Sequence, residues 1–315
     1  MGLLFAALCA LNGAFVPAFA KLTTEGAAPL FVAAATTLFA GAAAALLMGL
    51  RRELHHLVAR RTGPRLAAIG LLGTALAFVL FFEGARRTTA IDTVLCLQVE
   101  PVYSLLVAWL FLGHRLTWRR VGAAAVLLAG IALALGEGGL TDPVGVALLL
   151  ATPVCWQISH LIVLRGLVGV PPPVLTGARY VYGGLIVGLY WLAGGGETGI
   201  ADPETLPSRL ALLALQGVGL SYVGTLLWYQ AIARLDLARA TAIVVPSIPL
   251  LSILASFTLL GELPTPVQWA GLALIATGVA AFVTAPHAVE TRERIPAPSA
   301  PLAAPADPAT GGDQA

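Results

Sequence analysis

The residue pair Glu100-Pro101 is the strongest chemical signal in the sequence, because it interrupts an otherwise apolar run. Glu100 is the one acidic residue within residues 93–113. A carboxylate is costly in hydrocarbon, so such a residue usually faces a polar interior or a pathway. Pro101 has no backbone N–H and leaves a carbonyl free at nearly the same depth. We expect Glu100 to exchange a proton or hold a substrate amine; the alternative is a protonated residue hydrogen-bonded to a neighbouring helix.

Polar and aromatic side chains on other apolar runs extend this candidate site. Trp156 and His160 lie four residues apart on one helical face, either as a cavity wall or as a helix contact. Asn12 either faces the cavity or forms an interhelical hydrogen bond. The predicted substrate-binding or coupling residues are Glu100, Asn12, Tyr103, Trp156, His160, Arg179, Gln216 and Ser247.

Arg179 has two interpretations. It could pair with a substrate carboxylate through a bidentate, charge-assisted contact. It could also extend to the lipid boundary, with Tyr180 and Tyr182 forming an aromatic belt. Its place near a helix end favours the belt. Trp228 and Tyr229, near the end of another run, are interpreted as anchors at the boundary.

Three prolines are candidate hinge residues. Pro101 follows the buried acid, and Pro246 and Pro249 lie three residues apart in one apolar run. Two prolines at this spacing remove helical hydrogen bonds and leave carbonyls exposed. The sequence predicts a hinge at Pro101, Pro246 and Pro249; for the latter two, the alternative is a static kink.

The composition shows which elements must position these residues. Hydrophobic residues make up 58% of the 315 residues, charged residues 11%, and mean hydropathy is +0.88. A soluble domain carries roughly 25% charged residues and cannot bury this much apolar surface, which excludes a soluble enzyme. A membrane span needs about 20 apolar residues, and the chain contains ten such candidate runs. We predict an all-α integral membrane protein with ten transmembrane helices.

Arginine placement predicts the orientation of these helices. With the N-terminus in the cytoplasm, 13 basic residues fall on the cytoplasmic side and four, Lys21, Arg86, Arg87 and Arg209, on the opposite side. We therefore expect a multi-pass protein of the cell (inner or plasma) membrane with both termini cytoplasmic. Ala18-Phe19-Ala20 has the pattern of a cleavage site, but no basic residue precedes the first run, so we expect an uncleaved helix.

The two halves of the sequence also resemble each other. When it is shifted by 148 residues, positions 72–132 align with 220–280, and 14 of the 61 pairs are identical. Pro101 aligns with Pro249, Leu112-Gly113 with Leu260-Gly261, and Gly130 with Gly278. Because each half contains an odd number of helices, the second half must enter the membrane from the opposite face, as in transporters with inverted repeats. We predict repeats at 1–138 and 139–285, and a disordered Pro/Ala-rich cytoplasmic tail at 286–315.

Several functional classes have no support in the sequence. It contains no phosphate-binding glycine loop followed by lysine and no nucleophile elbow. Cys9, Cys96 and Cys155 have no partners at metal-ligand spacing and are interpreted as small buried hydrophobes. The net charge of +2 is too small to indicate nucleic-acid binding. We expect no enzymatic activity, no cofactor and no metal site.

With these motifs, the chain resembles the EamA-type transporters of the drug/metabolite transporter superfamily. The resemblance rests on Glu100-Pro101-Val102, Leu112-Gly113, Trp228 to Ala231, Leu260-Gly261-Glu262 and Gly271 to Gly278, and it covers about residues 3–285. Gln98 to Pro101 also resembles the threonine/homoserine exporter branch. One departure is His114, where the first-half turn commonly reads Leu-Gly-Glu.

The resemblance implies export of a small metabolite, often an amino acid or related compound, by alternating access, with proton antiport as the usual mechanism. Two other possibilities stay open: an importer or facilitator of another small solute (a drug, a nucleoside or a sugar derivative), and a non-transporting membrane scaffold. The expected partners are a small-molecule substrate, the lipid bilayer and protons. The fifth and tenth helices are interpreted as scaffold or as a dimer surface, which leaves a homodimer open.

Overall fold

The computed structural model describes residues 1–113, 116–136, 142–235 and 237–284. The predicted tail at 286–315, together with His114 and Arg115, lies outside these ranges. Long helices account for most of the described part, and no strand occurs in it. These helices are α1 Gly2–Thr24, α2 Pro29–Leu50, α3 Gly63–Arg87, α4 Ala90–Leu112, α5 Trp118–Gly136, α6 Pro143–Gly166, α7 Pro172–Ala193, α8 Pro203–Leu235, α9 Leu237–Leu260 and α10 Pro266–Thr284.

The lengths and compositions of these helices fit a membrane protein. Within the described residues, seven helices are long and apolar enough to cross a membrane, namely α1 to α6 and α8. Apolar stretches in α9 and α10, Ser247–Leu260 and Pro266–Phe282, are shorter. The predicted all-helical, multi-span architecture is therefore confirmed in its class, while the count of ten spans stays a prediction.

Helices from the two halves of the chain are interleaved. α1 packs against α8 and α9 from the second half, and α6 packs against α3 and α4 from the first. α2 and α7 pack against each other, with α8 beside α2 and α3 beside α7. Exchanging the two halves therefore reproduces the same set of neighbours, and side chains from both halves meet in one core.

α5 and α10 form a close contact that is reciprocal under the 148-residue shift. A Cβ atom on Gly130 would lie 2.8 Å from the backbone nitrogen of Ile275, and one on Gly278 would lie 2.7 Å from that of Leu127. Gly130 aligns with Gly278, and Leu127 with Ile275. Glycine at both positions lets the two backbones approach closely, as in membrane helix pairs generally.

The glycines that end α4 and α9 are also equivalent. Gly113 has φ 72° and Gly261 has φ 70°, and a Cβ atom at either position would meet open space. The left-handed backbone, rather than crowding, therefore requires glycine at both helix ends.

Two ends of the helical bundle are distinguished below. The Glu262 end contains Thr24, Arg87, Asp142 and Glu262, and the Arg165 end contains Leu50, Phe111 and Arg165. Each long helix runs from one end to the other.

Candidate functional site

α4 is broken immediately before the predicted acid. Its first part is Ala90–Leu97, its second is Glu100–Leu112, and Gln98 and Val99 form a turn between them. The amides of Gln98 and Val99 donate to Leu95 O and Cys96 O, each at 3.2 Å, in the tighter i to i−3 pattern. Pro101 sits in the first turn of the second part, where a missing N–H costs little. The sequence thus restarts the helix at Glu100.

Glu100 is held by a neighbouring helix. Its Oε1 accepts a hydrogen bond of 3.0 Å from Gln157 Nε2 on α6. Gln157 is buried, whereas Glu100 remains half-buried. Among the described residues, Gln157 is the one hydrogen-bond partner of this carboxylate. A carboxylate held in this way can take up a proton or accept from a substrate amine. Gln157 was recognised in the sequence only as a polar neighbour of Trp156.

Arg179 belongs to the same cluster, and its interpretation as a lipid-boundary residue is wrong. The side chain is 6% exposed, and its Nη2 donates to Gly73 O at 2.5 Å. It interacts electrostatically with both Glu100 and His160. Its Nε has no hydrogen-bond partner among the described residues. α7 therefore directs this cation into the protein, on the face that packs against α3.

Of the aromatic residues predicted at the boundary, Tyr180 and Tyr229 lie inside the protein, whereas Tyr182 reaches the segment between α2 and α3 at the Arg165 end. Tyr180 is buried, and its hydroxyl donates to Ser221 O at 2.9 Å. Tyr182 donates to Leu57 O at 2.6 Å. Tyr229 is buried in a cluster with Val163, so its interpretation as an anchor is wrong.

Asn12 and Gln216 each join α1 to α8, at separate points. Asn12 Nδ2 donates to Gly219 O at 2.8 Å. Gln216 is 2% exposed, and its Oε1 accepts from the Thr23 hydroxyl at 2.9 Å. In this conformation the two amides join helices, whereas Glu100 and Arg179 supply the charged groups of the first cluster.

Arg179 and Asn12 each bond to a stretch of π-helix. Arg179 donates to a carbonyl of Leu71–Leu76 in α3, and Asn12 donates to a carbonyl of Leu215–Tyr222 in α8. Stretches of this kind are rare and often mark functional sites. The 148-residue shift moves 71–76 onto 219–224, which overlaps the second stretch. Gly73 and Ser159 escaped the sequence analysis because their residue types carry no charge. A Cβ atom at Gly73 would clash with the Ser159 hydroxyl and lie 3.2 Å from Arg179 Nε.

Of the remaining predicted residues, Tyr103 lies on α4, Trp156 and His160 lie on α6, and Ser247 lies on α9. Tyr103, Trp156, His160 and Ser247 are half-buried, and the Ser247 hydroxyl donates to Ile243 O of its own helix at 2.7 Å. Among the predicted hinge residues, Pro101 adjoins the break in α4. Pro246 and Pro249 lie within α9, which is one uninterrupted helix.

The bundle is tied together at the Glu262 end. There, Ala90–Leu97 of α4 packs against α1, α5, α6 and α9, whereas the described contacts of Glu100–Leu112 are chiefly with α6. Lys21 Nζ donates to Arg86 O at 3.1 Å, which joins α1 to α3 at this end. Glu100 therefore lies at the break between two differently packed parts of α4.

A separate apolar crevice of about 190 Å³ lies between α4, α9 and α10. Gln98, Leu250 and Trp269 are among its lining residues. Pro249 is the one predicted residue that lines it, so the crevice is distinct from the Glu100 cluster.

Comparison with known families and proteins agrees with this architecture. The EamA-like transporter family matches residues 1–136 and again residues 143–284. The chain therefore belongs to the EamA-like transporter family, and it is a multi-pass membrane protein of a transporter class. This confirms the resemblance found in the sequence.

Individual relatives are transporters as well. A probable terminal-alkyne amino-acid exporter of Streptantibioticus cattleyicolor is 29% identical over 240 residues, which cover 74% of this chain and 75% of the relative. An uncharacterized transporter of Archaeoglobus fulgidus is 24% identical over 216 residues, covering 69% and 76%. One solved crystal structure shares the fold with a TM-score of 0.61 at 21% identity, covering 88% of this chain and 96% of the other.

Proposed function

We propose that this protein is a secondary active exporter of an amino acid or related small metabolite, working by alternating access with proton exchange at Glu100. The observation that carries the proposal is the Glu100 carboxylate, held by Gln157 at the break of a membrane-spanning helix. An acid in hydrocarbon is retained where it has a function. The relative named as an amino-acid exporter supports this substrate class.

The opposite charges of the cluster suit a zwitterion. Glu100 can hold an ammonium group, and Arg179, with its unpartnered Nε, can hold a carboxylate. Trp156, His160 and Tyr103 lie on the same two helices as Glu100 and Gln157 and would contact the substrate. Asn12, Gln216 and Ser247, on α1, α8 and α9, would complete the binding or coupling site from the other side. Pro101, Pro246 and Pro249 remain the predicted hinge residues.

Alternating access is proposed to use ten spans as two inverted five-helix repeats. Two family matches, the paired glycine ends of α4 and α9, and the reciprocal contact of α5 with α10 support this repeat. The arginine distribution supports cytoplasmic termini in the plasma membrane. In that orientation the Arg165 end faces the cytoplasm and the Glu262 end faces outward.

Export from intact cells tests the proposal. Cells expressing wild-type protein, Glu100→Gln or Glu83→Gln at equal membrane levels are preloaded with a panel of amino acids and related metabolites. Glu83, on the exposed end of α3, is the control because its partner is Arg87 at 2.7 Å.

We expect wild type and Glu83→Gln to release one substrate class faster than empty cells, with a rate that depends on pH. Glu100→Gln should lose this release. Full-rate release by Glu100→Gln with unchanged pH dependence would exclude the coupling role. No release by wild type across the panel would exclude amino-acid export.

A further inference from the structure

Ser159 carries a fully buried hydroxyl that has no role in the site as described so far. Its Oγ has no hydrogen-bond partner among the described residues. A serine or threonine inside a helix can satisfy its hydroxyl by donating to the carbonyl four residues back. Thr152 on the same helix does so, to Leu148 O at 3.0 Å. The Ser159 hydroxyl instead lies against Gly73 of α3.

The guanidinium group of Arg179 reaches the same point of α3. A Cβ atom on Gly73 would clash with the Ser159 hydroxyl and would stand 3.2 Å from Arg179 Nε. Both polar atoms therefore lie within 3.2 Å of one point beside Gly73, and the absence of a side chain at residue 73 permits this approach. Each atom carries a hydrogen to donate, and neither finds an acceptor in the part of the chain that the structure describes.

Two neighbouring buried donors, one of them cationic, suit an anion. A buried donor without a partner costs free energy, and the cost is larger for a charged group. Guanidinium N–H groups make short, charge-assisted hydrogen bonds to carboxylates. The pair can therefore give one carboxylate two hydrogen bonds, while Arg179 Nη2 stays fixed by its bond to Gly73 O.

This donor pair lies where the two halves of the chain meet. Arg179 donates to Gly73 O in the π-helical stretch of α3, and the next residue, Tyr180, donates to Ser221 O in that of α8. The 148-residue shift aligns Gly73 with Ser221, so adjacent residues of α7 hold equivalent carbonyls of the two halves. Transporters with inverted repeats bind substrate at the interface between the repeats. The position of the pair therefore suits a substrate site.

The helix that carries Ser159 also supports the acid. Gln157 lies two residues earlier on α6 and donates to Glu100 of α4 at 3.0 Å. Side chains two residues apart do not share a face of a helix, and α6 packs against both α3 and α4. Gln157 thus serves α4 and Ser159 serves α3. Arg179 interacts electrostatically with Glu100, so the donor pair and the acid belong to one cluster.

We propose that Ser159 Oγ and Arg179 Nε together form the subsite for the carboxylate of an α-amino acid, and that this pair restricts the protein to substrates whose carboxylate is free. The inference rests on the proposed function, because it takes an amino acid as the ligand. An amino-acid amide keeps the ammonium group for Glu100 but brings no negative charge to Arg179. Binding it would leave the buried guanidinium uncompensated, which is how polar sites reject close analogues.

Ligand binding by the purified full-length protein tests this subsite separately from transport. Protein in detergent is titrated with each amino acid of the export panel and with the matching amino-acid amide, and the rise in thermal unfolding temperature reports binding. We expect at least one amino acid to stabilise the wild type. Its amide should need a concentration at least tenfold higher for the same stabilisation.

Ser159→Ala should weaken binding of the acid alone. We expect about a tenfold higher concentration of the amino acid for half-maximal stabilisation, the effect of losing one hydrogen bond to a charged group. Binding of the amide should stay at the wild-type level. Thr152→Val is the matched control, because it removes a buried hydroxyl of α6 that bonds within its own helix. It should bind the acid as wild type does.

Several results would overturn the proposal. They are equal affinity of the wild type for acid and amide, wild-type affinity of Ser159→Ala for the acid, an equal loss in Thr152→Val, and a wild type that no amino acid stabilises. Stabilisation by sodium chloride alone, abolished in Ser159→Ala, would assign the donor pair to an inorganic anion instead. If Ser159→Ala fails to fold, the comparison of acid with amide on the wild type still decides.

The two assays fail in different ways. An amino acid that binds with the expected preference but is not released from cells would contradict export and leave the carboxylate subsite standing. Release of an amino acid whose amide binds equally well would contradict the subsite and leave export standing.

Discussion

α4 and α9 occupy the same position in the two halves, yet their centres differ. α4 reads Gln98-Val99-Glu100-Pro101 and is broken, while α9 reads Pro246-Ser247-Ile248-Pro249 and is one helix. Pro101 and Pro249 are aligned, so proline alone does not determine the break. What differs is the acid, and with it the partner, because Glu100 bonds to Gln157 whereas Ile248 lies against Gly13. The two halves share one arrangement of helices, and a few residues place the candidate proton-binding carboxylate in the first half only.

Transferring the acid between the helices tests this asymmetry most severely. Glu100→Ile should lower export on the order of 100-fold, the size expected when a proton-transfer group is lost. Adding Ile248→Glu should not restore export. The Ile248 side chain lies against Gly13, where a Cβ atom would be 3.2 Å from it. A carboxylate at this position therefore faces a glycine and not an amide donor. Export by the double variant, measured against Glu100→Ile at equal membrane levels, checks this. Recovery would mean that the two halves are chemically interchangeable.

Removing the partner of the acid should have a smaller effect. Gln157→Leu deletes the one hydrogen bond that joins Glu100 to α6. A bond to a charged group is worth roughly 1.5–3 kcal/mol, and each 1.4 kcal/mol is about tenfold. We expect export to fall about tenfold or more. Ile158→Ala, at the exposed neighbouring position, is the control and should transport normally; equal losses in both variants would point to disturbed packing of α6.

The smallest effect is expected from the prolines. Pro101→Ala restores an N–H that can bond back along α4 and shorten the break, so we expect a loss of about two- to fivefold, or ~0.5–1 kcal/mol. Pro249→Ala, in an already continuous helix, should transport close to the wild-type rate. Equal losses in both variants, measured in the same export assay, would instead support the hinge predicted in α9.

The helical membrane fold could largely be predicted from the sequence, because apolar runs long enough to span a membrane are compatible with few other folds. The break in α4 could be predicted only in part, since Pro101 suits the first turn of a helix, yet the aligned Pro249 lies within a continuous one. The π-helical stretches could not be predicted, because no local sequence pattern in Leu71–Leu76 distinguishes this stretch from an ordinary α-helix. Their positions follow from contacts with Arg179 and Asn12, which lie more than 100 residues away along the chain.

The residue types of the candidate site could be predicted from the sequence, but not which of these residues lie close together. Glu100 stood out because its charge is rare in an apolar run. The sequence placed Arg179 at the lipid boundary because its position along the helix indicates its depth in the membrane. That position does not indicate which way the side chain points. Which way a helix faces depends on its neighbours, and α7 has protein on the sides that α2 and α3 occupy. The separation of Asn12 and Gln216 from Glu100 has the same cause.

The reciprocal glycine contact of α5 and α10 has the symmetry of a contact between two copies of one unit. Gly130 meets Ile275 as Gly278 meets Leu127, which is the pattern of an isologous interface between two copies of one unit. In a five-helix chain that paired with itself, one glycine would serve both sides of that contact. In this chain the same requirement appears twice, at Gly130 and at Gly278. A substitution at either position would therefore disturb only one side of the contact.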